Sequence, residues 1–116
     1  MKILILEDNP QRHIQFEEDL KNHEICIVDV VDTTISLLKN EKWDALFLDH
    51  DLGGHVRVEP GTEPTGYDVA VFLEENKHLQ PPLMVIHSHN TVGAERMKAA
   101  LPNAHVIPFS SNMNLN

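Results

Sequence analysis

Four apolar runs punctuate the chain: Ile3-Leu4-Ile5-Leu6, Ile25-Cys26-Ile27-Val28, Ala45-Leu46-Phe47-Leu48 and Leu83-Met84-Val85-Ile86. Runs without polar alternation are typical of strands covered on both faces, and between them the apolar positions recur at helical spacing. The pattern predicts a strand over residues 2–7, then a helix opened by Asn9-Pro10 that runs to about Lys21 with His13, Phe16 and Leu20 on one face. A second strand follows from Glu24 to Val30. Thr33 or Thr34 is placed to cap a short helix carrying Ile35, Leu37 and Leu38 and ending near Asn40. The third strand runs from Trp43 to Leu48, and an irregular stretch from His55 to Gly66 separates it from a helix over Tyr67 to about His78, with Val69, Ala70, Phe72 and Leu73 on its apolar face. After Pro81-Pro82 come a fourth strand, Leu83–Ile86, and a helix capped by Asn90 or Thr91 that reaches Leu101 with Ala94, Met97 and Leu101 inward. A short fifth strand spans Ala104 to Ile107.

Strands and amphipathic helices in strict alternation predict a parallel sheet with helices on both faces. Five strands and four helices fit an α/β, doubly wound, flavodoxin-like sheet of order 2-1-3-4-5. One domain covers residues 1–109, and residues 110–116 read as a polar, flexible tail. The fifth helix of such a fold is missing or truncated, which leaves one sheet face for a partner subunit and makes a homodimer an expectation.

Composition narrows the function classes. With 116 residues, 41% of them apolar, the chain supports one core without disulfides. Its formal charge of −9 repels phosphate backbones, so non-specific nucleic-acid binding is not expected, and an anionic small substrate would need a cation in the site. The single Cys26 lies within an apolar strand and reads as a small hydrophobe. No apolar run reaches membrane-spanning length and no secretory signal precedes the first strand, so a cytoplasmic location is expected.

Chemistry concentrates at the carboxyl ends of three strands, where open α/β sheets build their sites. The first run leads into Glu7-Asp8, the third into Asp49-His50-Asp51, and the fourth into His87-Ser88-His89-Asn90. Carboxylates gathered in one crevice favour a divalent cation, and an oxygen-rich set suits Mg²⁺ or Mn²⁺. Glu7, Asp8, Asp49 and Asp51 are the candidate oxygen ligands. Imidazoles beside them move the preference toward Mn²⁺, Fe or Zn²⁺, with His89 a further candidate ligand. His87 and His50 are candidate acid/base groups, and the Ser88 hydroxyl is placed to meet a phosphoryl oxygen. Strand alternation would turn His87 and His89 to one side and Ser88 to the other, unless the chain has turned by residue 88. The helix start at Asn90-Thr91 offers an anion-binding corner, with Gly93 allowing close approach of a phosphate, and Arg57 in the long loop is a candidate phosphate clamp. Tyr67 is a candidate stacking surface for a base or ring, whereas His13, His23, His78 and His105 have no motif around them and read as structural.

Met1-Lys2-Ile3-Leu4-Ile5-Leu6-Glu7-Asp8-Asn9-Pro10, the strand-end Asp49 and Pro108-Phe109 together resemble the receiver domain of bacterial response regulators over residues 1–109. The resemblance implies that Asp8 and Asp49, with the Asp51 carbonyl, hold a divalent cation and that Asp49 is the phospho-accepting position. Two departures stand out: His87 stands where receivers place a Thr or Ser that senses the phosphoryl group, with Ser88 one residue away as the alternative occupant, and Ile107 replaces a lysine that pairs with its oxygens. Leu48-Asp49-His50-Asp51-Leu52, Thr65-Gly66-Tyr67-Asp68-Val69-Ala70 and His87-Ser88-His89-Asn90-Thr91-Val92-Gly93-Ala94 are similar to a receiver offshoot, the cyclic-phosphate-processing receiver family. That resemblance implies a metal-dependent phosphoesterase with a small phosphorylated substrate or cyclic nucleotide as its partner. Two other functions remain: a single-domain signalling receiver phosphorylated on Asp49, and a binding-only receiver relic.

Overall fold

Past Lys2 at the start of the first, the central strands carry only apolar side chains, because both of their faces are roofed. In the computed structural model, which describes residues 1–52, 64–110 and 112–113, β1 (Lys2–Leu6), β2 (Glu24–Val28), β3 (Ala45–Leu48), β4 (Leu83–Ile86) and β5 (His105–Val106) form one parallel sheet. Their order is β2-β1-β3-β4-β5, the flavodoxin-like arrangement expected. Helices α1 (Pro10–Asp19), α2 (Val31–Asn40), α3 (Gly66–Glu75) and α4 (Thr91–Ala100) alternate with the strands, and a 3₁₀ turn, Lys77–Leu79, follows α3.

Alternation along the strands divides the core in two. Leu4, Leu6, Leu46, Leu48, Met84 and Ile86 meet α2, α3 and α4. Ile3, Ile5, Ala45, Phe47 and Val85 point to the other face, against Phe16 and Leu20 of the α1 segment. Each fully buried Leu, Ile or Phe contributes about 1.5–3 kcal/mol of transfer free energy, so this two-sided core dominates stability.

Several element boundaries differ from the sequence pattern, each for a local reason. α2 starts at Val31 without a side-chain cap, and the Thr34 hydroxyl donates back to the Val30 carbonyl at 2.9 Å instead of capping. β3 begins at Ala45, because Trp43 turns inward and its indole N–H donates to the Leu37 carbonyl at 3.1 Å. α3 stops at Glu75, where the Asn76 amide donates to the Phe72 carbonyl. The tail is not uniformly loose: Met113 is buried on the α1 face, its N–H donating to Asp19 Oδ2 at 2.6 Å. With Phe109 packed beside it, Met113 covers part of the sheet face for which a partner subunit was expected. No helix among the described residues is long and apolar enough to cross a membrane.

Candidate metal centre at the strand ends

One register step past the apolar ladder, three polar residues occupy the same row. Leu6, Leu48 and Ile86 are aligned across β1, β3 and β4, so Glu7, Asp49 and His87 come next. The ladder continues through them, with Asp49 N–H donating to the Leu6 carbonyl at 3.2 Å and His87 N–H to the Leu48 carbonyl at 3.0 Å. By the two-residue period they share the face of Ile5, Phe47 and Val85. Polar groups therefore end three apolar columns, and all three side chains are buried. One ligand atom from each lies within 4.8 Å of the others. Two carboxylate oxygens could hold a divalent cation, with an imidazole nitrogen close beside them.

Glu7 is the most heavily bonded member. Its Oε2 accepts the N–H groups of Asp8 and Asn9 at 3.0 and 3.1 Å. Its Oε1 accepts from His87 Nε2 at 3.0 Å and from Arg12 Nη1 at 3.3 Å. Burial by itself would raise this carboxyl, but the His87 hydrogen bond, the Asn9 N–H and the Arg12 charge outweigh it and hold Glu7 below the usual carboxylate range. The imidazole of His87 is pushed the other way: burial lowers its pKa against the pull of Glu7. His87 is thus a neutral donor through Nε2, while Nδ1 meets no hydrogen-bond partner among the described residues. Phe16, Phe47 and Phe109 surround its ring, with centroids 5.2, 6.4 and 6.5 Å away.

Asp49 sits where Glu7 is already ionised. Burial first, and the Glu7 charge second, push its carboxyl up to about 7, against the His50 N–H, Arg12 and the Ser88 hydroxyl. Two adjacent buried carboxylates resist double ionisation, and this one retains a proton near neutrality.

The remaining candidates arrange themselves around this row. Asp8, Asp51, Ser88, His89 and Thr91 line an open crevice of about 990 Å³ above it. Ser88 hydrogen-bonds Asp49 through its hydroxyl although His87 reaches Glu7, so both parities contribute because β4 has ended at Ile86. His87 does not line the crevice: with 0% exposure, it cannot serve as the expected acid on a leaving group and acts instead on Glu7. His89 lines the crevice and donates through Nε2 to the Phe109 carbonyl at 2.7 Å, and it does not belong to the clustered trio. Asp8 and Asp51 stay at the crevice rim, outside the clustered trio.

A second polar group forms behind the crevice. His50 Nδ1 lies 2.9 Å from Asp51 Oδ1, and the Asn90 amide donates to the two Asp51 oxygens at 3.2 and 3.4 Å. Asn90 Oδ1 also caps α4 by accepting the Gly93 N–H at 2.9 Å, so its side chain is committed to structure rather than to a phosphate. Gly93 makes room for an imidazole instead of a phosphate, since a Cβ there would fall 2.5 Å from the His50 ring. Gly66 is equally constrained: a Cβ would fall 1.8 Å from the Asp49 carbonyl oxygen, whose chain is also tied by Gly66 N–H to the His50 carbonyl. Thr65 and Asp68 close a reciprocal capping box at the start of α3. The face of Tyr67 is taken by Arg96, 4.3 Å from the ring centroid, so it is not the open stacking platform expected. The proposed clamp Arg57 lies outside the described residues.

Arg12 is the site residue that sequence reasoning missed. Asn9 caps α1 by accepting the N–H groups of Gln11 and Arg12, which swings the Arg12 side chain over the strand ends. Its Nη1 comes within 3.8 Å of Asp49 Oδ2 as well as bonding Glu7, and its guanidinium rests 4.8 Å above the Phe109 ring. A signal existed in the sequence: a cation in the first turn of a helix opposes the macrodipole and calls for a compensating anion.

Known structures share this fold at low identity. Response regulator TrrA from Thermotoga maritima, in complex with Mg²⁺-BeF, aligns over 94% of this chain and 86% of its own, with 17% identity and a TM-score of 0.71. The Mn²⁺-bound response regulator Rcp1 aligns over 97% and 83%, with 20% identity and a TM-score of 0.71. The receiver domain of a Pseudomonas aeruginosa PAO1 sensor histidine kinase, with magnesium in its active-site cleft, aligns over 95% and 87%, with 18% identity and a TM-score of 0.67. TrrA has also been crystallised with histidine kinase ThkA, again at 17% identity to this chain. No curated protein sequence matches. Residues 2–103, nearly the whole of the ordered sheet and its helices, match the family described as the Cyclic-phosphate processing Receiver domain, and the chain belongs to that receiver family.

Proposed function

We propose that this chain is a divalent-metal-dependent phosphoesterase acting on a small phosphate ester, with cyclic phosphates of nucleotides or RNA ends as the substrate class. The observation that carries this reading is the buried carboxylate pair Glu7 and Asp49 at the floor of an open crevice, with His87 clustered beside them beneath it. The Mn²⁺-bound form of Rcp1 and the magnesium in the active-site cleft of the Pseudomonas aeruginosa receiver domain support a cation here. When bound, such a cation supplies Lewis acidity to a phosphoryl group and offsets the −9 charge that would repel an anion. Glu7 and Asp49 would hold it through carboxylate oxygens. His87 keeps Glu7 ionised and oriented by donating from Nε2, a positioning role consistent with its complete burial. Asp49 gives up its proton as the site fills, and Ser88 holds the released carboxylate by hydrogen bonding. His50 Nδ1, 2.9 Å from Asp51 Oδ1, holds the Asp51 carboxylate at the crevice rim from behind, a positioning role. Thr91 at the crevice wall is the remaining candidate contact for phosphate.

The test is turnover of 2′,3′-cyclic nucleotides with Mn²⁺ or Mg²⁺, abolished in Asp49→Ala. Absence of hydrolysis across a broad phosphodiester panel with every divalent ion overturns the reading.

One observation favours a second reading. Asp49 lies at the end of β3 in a receiver fold, and its carboxyl borders the crevice. A signalling receiver would accept a phosphoryl group there, with a histidine kinase as partner in the manner of TrrA and ThkA. Ile107, half-exposed and apolar beyond β5, offers no cation to a phosphoryl oxygen, which weighs against it. A phosphoryl adduct seen by intact mass after treatment with a small phosphodonor, and lost in Asp49→Asn, would establish this second function.

A further inference from the structure

We propose that Arg12 is a resident counter-ion of the Glu7–Asp49 pair, that it surrenders this place when a divalent cation binds, and that it then serves as the crevice's receptor for the anionic ligand. This rests on the metal site proposed above and assigns a role to a residue of α1.

The geometry describes a cation held loosely enough to leave. A single nitrogen, Nη1, makes both carboxylate contacts, at 3.3 Å to Glu7 and 3.8 Å to Asp49, so the fork-shaped guanidinium is not engaged as a bidentate clamp. The second contact is long for a charged hydrogen bond. Arg12 also stands in the first turn of α1, where the helix dipole disfavours positive charge. Its side chain keeps 22% exposure although both carboxylates beneath it are buried.

Two cations cannot share this pair comfortably. The donor atoms of Glu7, Asp49 and His87 lie within 4.8 Å of one another, so any ion among them stands only a few ångströms from Nη1. Like charges at that range repel strongly in a partly desolvated site. The planar face of Phe109, 4.8 Å from the guanidinium carbon, offers Arg12 support that does not depend on the carboxylates. Displaced from them, the side chain remains tethered by Phe109 beside the crevice. Of the described residues lining that crevice, Arg12 alone carries a permanent positive charge, among Glu7, Asp8, Asp49 and Asp51. An anion entering the crevice meets no other fixed cation among the described residues there.

The experiment titrates Mn²⁺ alone into wild type, Arg12→Gln and Arg12→Lys by calorimetry, then inorganic phosphate into each Mn²⁺-loaded protein. Arg12→Gln is expected to bind Mn²⁺ about five- to tenfold more tightly, because a competing cation is gone, and phosphate about tenfold more weakly. Arg12→Lys, which keeps the charge and provides the test if the Gln variant fails to fold, should stay within about threefold of wild type for both ligands. A purely structural Arg12 would move Mn²⁺ affinity downward or not at all. Unchanged or weaker Mn²⁺ binding in Arg12→Gln, with wild type binding normally, overturns this proposal alone. Failure of every form to bind Mn²⁺ or Mg²⁺ overturns the metal site together with it.

Discussion

His87 Nε2 lies 3.0 Å from Glu7 Oε1, and both side chains have 0% exposure. A carboxylate at that depth must be compensated, and His87 is the partner that comes from the end of β4, two strands over and 80 positions along the chain. Replacing His87 by Leu leaves Glu7 with a missing donor and should destabilise the metal-free protein by about 2–4 kcal/mol at pH 7.5. His87→Gln, which can still donate, should recover part of that loss. Urea unfolding of the two variants checks the difference, and equal stability of Leu and wild type would show that the pair contributes nothing.

Asp49 makes the metal-free protein less stable as pH rises. The folded state holds its proton up to about pH 7, whereas an unfolded chain releases it near roughly 3.9. Its favourable contribution is complete below the lower value and is lost as pH climbs through the higher one. Glu7 acts in the opposite sense: its depressed carboxyl stabilises above the unfolded pKa and ceases to do so in acid. Asp49→Asn should therefore flatten the decline between pH 4 and 7 and raise stability at pH 8 by about 1–3 kcal/mol. Denaturant midpoints across pH 4–8 measure it.

Cation binding should release a proton. Because Asp49 is protonated in part at neutrality, Mn²⁺ affinity should rise with pH below 7, approaching about tenfold per unit, and level off above it. Calorimetry in buffers of different ionisation enthalpy should count nearly one proton released at pH 6 and close to none at pH 8.5. A pH-independent affinity would place the ion elsewhere than on Asp49.

Two glycines set the packing of the site. Gly66→Ala drives a methyl into the backbone at Asp49, 1.8 Å from its carbonyl oxygen, and should cost about 2–4 kcal/mol. Gly93→Ala meets a side chain instead, the His50 ring at 2.5 Å, while gaining about 1 kcal/mol of helix propensity. Removing the ring should unmask that gain. A double-mutant cycle of Gly93→Ala with His50→Ala should show coupling of at least about 1 kcal/mol, and additive effects would mean His50 is not packed there.

Much of the fold was legible because the relevant signals are local. Uninterrupted apolar runs located four strands of the described residues, helical spacing located their four helices, and strict alternation of strands and helices left few alternatives to the order β2-β1-β3-β4-β5. Errors fell where a side chain had two local choices. Thr34 bonds the preceding turn rather than capping it, and Trp43 leaves the strand to reach Leu37. Met113, in a polar tail, gave no periodic signal before the sheet offered it a place.

The candidate site divides along the same line. By itself the sequence determined that Glu7, Asp49 and His87 end strands, since each closes an apolar run and strand ends expose their last side chains to the crevice of a parallel sheet. Only the tertiary structure decided what they do there. Register placed them in one row, burial turned His87 from a solvent-facing acid into the partner of Glu7, and the entry angle of α1 laid Arg12 across both carboxylates. Periodicity is a property of neighbouring residues, whereas charge compensation in a buried row depends on which distant segments meet and how much water they exclude.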